Sequence, residues 1–269
     1  VYFPDKLGGD ETSLFFIHNE FTVQFFFGRA PLYILALYPA VMYSSFVLVK
    51  QAGLFEGRFG ALSGAVAVGL VHHVFYEVFD HYGPQYGWWL WNYPNFNGSL
   101  ASVPVSSMVS FAFIGPIALT LATRLLVTTD RYEESVSLSA TSSRIQFGVR
   151  AVAAGLLTPV FFILLTADTW YGLLAIELTT QREAYTAIAL LGSALMLTVL
   201  KFSRITEFSM SGLLTFSKVY LLLFLAVFLA LWLYALPDYL SAVDGVTSWG
   251  SRTGSLPYAP APYHNLTLP

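Results

Sequence analysis

Long apolar runs, broken at intervals by short polar clusters, set the pattern of this chain. Residues 1–12 are polar. The segment "SLFFIHNEFTVQFFFGR", 13–29, is aromatic but interrupted by His18, Asn19, Glu20 and Gln24, which predicts a helix lying in a membrane interface. The first clean run is 31–49, opened by Pro31 as a first-turn proline. Further runs cover 59–80, about 105–127, 150–167, 185–200 and 212–236. Each is close to the roughly 20 residues that a bilayer-crossing helix needs. Between them lie "KQAGLFEGR" (50–58), a Gly/Pro/aromatic loop (82–104) and the most polar stretch, 128–149. The pattern predicts an all-α, polytopic membrane helix bundle of about six transmembrane helices plus an N-terminal interfacial helix. Its expected organisation is a lead and interfacial helix (1–30), a transmembrane bundle (31–236) and an extramembrane C-terminal tail (237–269).

Composition agrees with that pattern. The chain is 56% hydrophobic and 11% charged, with a mean hydropathy of +0.62. A soluble domain is roughly a quarter charged. The net charge of −3 gives no footprint for a nucleic-acid partner. The chain has no cysteine, which excludes thiolate metal sites, thiol nucleophiles and disulfides. There is no Walker-type glycine loop for nucleotide phosphates.

Lysine and arginine set the expected orientation. With the N-terminus outside, the inner loops hold nine: Lys50, Arg58, Arg124, Arg131, Arg144, Arg150, Lys201, Arg204 and Lys218. The outer side holds four: Lys6, Arg29, Arg182 and Arg252. The expectation is a multi-pass cell-membrane protein with both termini on the non-cytoplasmic side.

Candidate chemistry concentrates in "HHVFYEVFDHYG", 72–83. Ionisable groups are costly inside a bilayer and raise a functional hypothesis by default. At helical spacing His73, Glu77, Asp80 and His81 share one face, flanked by His72 and Tyr76. Three readings follow. In the first, the polar face bridges helices through hydrogen bonds of about 1 kcal/mol each, as in a non-catalytic subunit of a larger membrane complex. In the second, two of His73, Glu77 and His81 bind a metal or haem. His73 and His81 lie about 12 Å apart along the axis, so another ligand would come from His18, Glu20, Asp168, Glu177 or His264. In the third, Glu77 is an acid, with His73 or Asp80 as partner, acting on an apolar isoprenoid or lipid ligand. A carboxylic acid in an apolar site can keep its proton and pass it to an alkene. Tyr76, Tyr82, Tyr86, Trp88, Trp89 and Trp91 would line such a site, whose aromatic faces stabilise cations. The tryptophans equally fit an interfacial aromatic belt.

The stretch "EVFDHYGPQYGWWLWN" followed by "GSLASVPVSSMVSFAFIGP" resembles the layout of bacterial carotenoid-pathway hydratases over about residues 77–116. In that layout a carboxylate ends a span, a Gly/aromatic loop follows, and a proline marks entry to the next span. The resemblance implies an isoprenoid substrate. It carries no catalytic residue onto this chain.

Overall fold

The computed structural model describes residues 15–18, 23–25, 30–56, 59–85, 89–92, 99–100, 103–127, 141–175, 181–202 and 215–241. Six helices dominate them. They are α1 (Leu32–Gln51), α2 (Gly60–Gln85), α3 (105–126), α4 (Thr141–Ala175), α5 (Gln181–Phe202) and α6 (Thr215–Ser241). Helix α3 is a composite of Val105–Val109, a π-helical turn Ser110–Ile114, and Gly115–Leu126. The fold is thus all-α, and every helix covers one of the apolar runs.

Four of the six helices, not six, are long and apolar enough among the described residues to cross a membrane: Leu32–Gln51, Gly60–Asp80, Ser107–Leu126 and Arg144–Thr166. The described parts of α5 and α6 hold shorter apolar stretches, Leu190–Val199 and Ser217–Leu231. Several helices outrun their predicted spans, α2 and α4 most clearly. Helix α2 continues through Gly83 and Pro84, and α4 takes in residues 141–149, assigned from the sequence to a polar loop.

The expected N-terminal interfacial helix is not formed by the described residues. Phe15–His18 is instead a strand, β1, paired antiparallel with β4 (Trp89–Asn92), with Phe15 opposite Asn92 and His18 opposite Trp89. Runs of Phe, Ile and Trp fit a pleated strand as well as an apolar helix face. The partner that decides between them lies more than seventy residues along the chain. Two shorter pairs accompany it. Strands β2 (Gln24–Phe25) and β3 (Ala30–Pro31) pair ahead of α1, and β5 (Ser99–Leu100) and β6 (Val103–Pro104) pair ahead of α3. Pro31 therefore ends a strand and caps α1, which starts at Leu32. Residues 1–14 and 242–269 lie outside the described residues, and with them most of the predicted lead and tail.

Successive helices run antiparallel, as the contacts at each level show. Along α1 and α2, Tyr33 meets Phe79 and Tyr38 meets Tyr76, while Val49 clusters with Val68. Along α2 and α3, Asp80 bonds Ser107 and His72 bonds Ala112. Helix α4 lies on α3, with Phe162 against Phe111 and the Arg150 guanidinium donating to the Leu126 carbonyl at 3.3 Å. Val199, near the end of α5, joins the core formed by Val49, Phe55, Ala67 and Val68. Helix α6 runs alongside α2, Phe224 against Phe75 and Phe228 against Phe79.

The first hairpin is closed by a local device. Gly53, at φ 72°, follows the end of α1; its N–H donates to Lys50 and that of Leu54 to Val49, at 3.1 and 3.2 Å. That crossed pair satisfies carbonyls which the helix end leaves open, and it needs the left-handed backbone that glycine adopts freely. The turn delivers Phe55 onto α2, where Gly60 and Gly64 leave room for it: a Cβ on Gly60 would collide with the Phe55 backbone, and one on Gly64 with its ring. The Gly60/Gly64 pair, which from sequence alone suits helix-on-helix contact, thus accommodates a loop residue.

Candidate functional site at the α1–α2–α3 contact

Helix α2 is the centre of the bundle, and its buried face decides where the polar groups go. Gly64, Ala65, Val68, Gly69, His72, Tyr76, Phe79 and Asp80 are all buried. They recur at spacings of three and four, the interval that keeps residues on one side of a helix. The small members allow close approach to α3: a Cβ on Gly69 would lie 2.7 Å from Ile117 Cγ1 and 3.0 Å from the Phe113 ring. His72, Tyr76 and Asp80 follow at intervals of four and continue the same line. They, rather than His73 and Glu77, form the deepest part of the polar cluster, with Asp80 1% and His72 2% exposed.

Each of the three is bonded outward to another helix. Asp80 Oδ2 accepts from the Ser107 hydroxyl of α3 at 3.0 Å, one turn along α2 from Tyr76. The Tyr76 and Tyr38 hydroxyls lie 2.6 Å apart, which ties in α1. A phenol has one proton to give. Either Tyr38 or Tyr76 gives its proton to the other, and Ser107 donates to Asp80 from α3. His72 stacks on Tyr76, ring centroids 5.3 Å apart, and its Nδ1 lies 2.8 Å from the Ala112 carbonyl. A carbonyl only accepts, so Nδ1 carries the proton of that bond.

His73 and Glu77 occupy the adjoining, partly open line. His73 Nδ1 is 3.5 Å from Glu77 Oε1, and their side chains are 24% and 13% exposed. That is an ion pair only when the imidazole is protonated. Phe113 of α3 meets the His73 ring edge-on at 6.5 Å. From the sequence, His18, Glu20 and Asp168 are the favoured partners of Glu77. Among the described side chains it stands 3.5 Å from His73 of its own helix, while Asp80 bonds Ser107 of α3. The side chains of the three favoured partners lie outside the described residues, as do those of His81, Tyr82, Trp89, Trp91, Glu177 and His264. Tyr86 and Trp88 lie outside them altogether. Among the described residues, no three His, Asp or Glu groups converge on one metal-sized position.

Two members of the network were missed from the sequence: Tyr38 in the first apolar run and Ser107 just after Pro104. A tyrosine midway along an apolar helix must find a partner for its hydroxyl, and a serine inside an apolar run raises the same question. Those were the available signals.

The opposite end of the bundle carries the charge. Every Lys and Arg whose side chain is described lies there: Lys50, Arg124, Arg144, Arg150, Lys201 and Lys218. Arg124 stands over the Phe55 ring at 5.1 Å. Between the two ends, α4 presents Ile145, Val149, Val152, Leu156, Val160, Ile163 and Leu164 outward, all well exposed. An apolar surface of that length is what lipid tails cover. Four apolar helices of spanning length, an apolar outer surface and a buried polar core define a multi-span helical membrane protein. The chain belongs to the family of the domain of unknown function DUF7802, which matches residues 9–164. The match covers α1 to α3 and most of α4, and so includes the whole buried network. No curated protein and no solved structure matches the chain, so the likeness to carotenoid-pathway hydratases finds no counterpart among them.

Proposed function

We propose that this protein holds an apolar ligand, of isoprenoid or lipid class, in the outer half of the membrane beside His73 and Glu77. The observation that carries the reading is the division of labour on α2. Asp80, wholly buried, is engaged by Ser107 of α3, which suits a holding role. The neighbouring His73–Glu77 pair lies 3.5 Å apart, with His73 Nδ1 and both Glu77 carboxyl oxygens buried although the two side chains are partly exposed, which suits proton transfer in a site closed to water. Glu77 acts as acid and His73 as its partner. Asp80 anchors the helix that carries both.

Two variants test this. Glu77→Gln keeps shape and hydrogen-bonding capacity but cannot ionise, and His73→Ala removes the base. Purified native protein is expected to carry a defined lipid, identified by mass spectrometry, and both variants to lose it or fail to turn it over at an unchanged melting temperature. Elemental analysis of the same samples covers the metal reading. Identical lipid, metal content, activity and melting temperature in all three proteins would sink the proposal. The cluster would then be a structural bridge in a subunit of a larger membrane complex.

The orientation belongs to the same reading. The cationic end in the cytoplasm and both termini outside would follow from the gathering of lysine and arginine at one end. The cysteine-free chain allows direct labelling. Ser251→Cys is expected to react with an impermeant thiol reagent in intact cells, and Ser139→Cys only after permeabilisation. The reverse pattern inverts the topology and places the site in the inner leaflet.

A further inference from the structure

The π-helical turn in α3 has an identifiable cause, and the cause leads to the polar network. An extra residue in a helical turn is uncommon and is costly to keep. Here it sits immediately before Pro116. A proline has no N–H, and its ring crowds the carbonyl four residues back. For Pro116 that carbonyl belongs to Ala112. The turn widens around it, so that the Gly115 N–H reaches Ser110, five residues back, in place of Phe111. The Ala112 carbonyl turns to α2 and accepts from His72 Nδ1 at 2.8 Å.

The widened turn has a geometric consequence. With Gly115–Leu126 fixed against α2, each residue before the turn stands one position further round than a regular α-helix would place it, a rotation of about 100°. Ser107 is brought opposite Asp80 by that step. In an uninterrupted helix the position it fills would pass to Met108.

We propose that Pro116 and His72 act together as positioning residues that set the register of outer α3, so that a serine and not a methionine faces Asp80. Pro116 forces the wide turn, and His72 supplies the donor that the displaced carbonyl needs. Neither touches Asp80.

The test is a set of melting temperatures in detergent, read against a structure of Pro116→Ala. The substitution restores an N–H for the Ala112 carbonyl and removes the ring, so α3 is expected to become continuous over 105–126. In the native background Ser107→Ala and His72→Ala each lower the melting temperature. In the Pro116→Ala background Ser107→Ala is expected to be neutral. The effect of His72→Ala is expected to shrink there, because the backbone N–H restored by the substitution now serves the carbonyl. Met108→Ser is expected to reverse sign: it lowers stability in the native protein, where Met108 packs in the core, and raises it in Pro116→Ala, where it meets Asp80. If Pro116→Ala alone does not fold, Met108→Ser/Pro116→Ala is expected to fold. A Pro116→Ala protein that keeps the π turn overturns the proposal. So does one in which Ser107→Ala costs as much as before, or a double variant that fails to recover.

Discussion

Gly69→Leu is expected to destabilise the bundle by about 3 kcal/mol, the upper part of the usual range for overpacking a tight core. Even a Cβ at this position would press on Ile117 and the Phe113 ring, and the remaining three carbons of leucine have nowhere to go. The helices must part, and the His72–Ala112 bond just one turn away parts with them. Gly155→Leu is the control. Nothing lies within 4 Å of a Cβ there, and leucine is the better helix former by nearly 1 kcal/mol, so that change should be neutral or mildly stabilising. Unfolding in mixed detergent, followed by tryptophan fluorescence, gives both numbers. Equal effects at the two glycines would mean that α2 and α3 are not in the close contact described.

The second large effect is at Asp80. Asp80→Ala removes the acceptor for the Ser107 hydroxyl. A hydrogen bond between membrane helices contributes about 1 kcal/mol, so a loss of that order is expected. Relief of a buried carboxyl group works the other way, and a cycle with Ser107→Ala separates the two. The coupling energy between Asp80→Ala and Ser107→Ala should be about 1 kcal/mol, whereas contacts that do not interact add to within about 0.5 kcal/mol. Asp80→Asn keeps one acceptor oxygen and should lose less than Asp80→Ala. Strict additivity of the alanine changes would remove Ser107 from the network.

The helices were legible because burial in a bilayer leaves a plain signal: runs of apolar residues about 20 long, ended by Gly, Pro and charge. What failed was whatever depends on a distant partner. Phe15–His18 has the composition of an interfacial helix, and only Trp89–Asn92 makes it a strand. Helix α4 continues into residues 141–149 because a polar stretch can still be helical when it projects beyond the apolar span. The residues of α2 that bond to other helices, His72, Tyr76 and Asp80, lie about 100° round from the His73–Glu77 line. A helical wheel gives the relative positions of His72, His73, Tyr76, Glu77 and Asp80, not the direction in which the whole helix faces. That direction follows from Gly64, Ala65 and Gly69, whose small side chains admit neighbours, and small residues on one face were the clue available in the sequence. The wide turn at Ser110–Ile114 could have been suspected from Pro116 alone. Its bond to His72 could not, because that needs α2 and α3 side by side.

The Phe55 contact has a consequence for how the chain assembles. Phe55 fills the space beside Gly60 and Gly64, so the first two helices are joined by residues at most nine positions apart. Contacts that close short loops form early. When α2 enters the membrane, Tyr76 can pair with Tyr38 of the helix before it, whereas Ser107, the partner of Asp80, emerges from synthesis 27 residues after that carboxyl. Until then the two phenols alone join the polar faces of the pair. The first hairpin is thus a self-sufficient starting unit, and α3 is the piece whose arrival completes it.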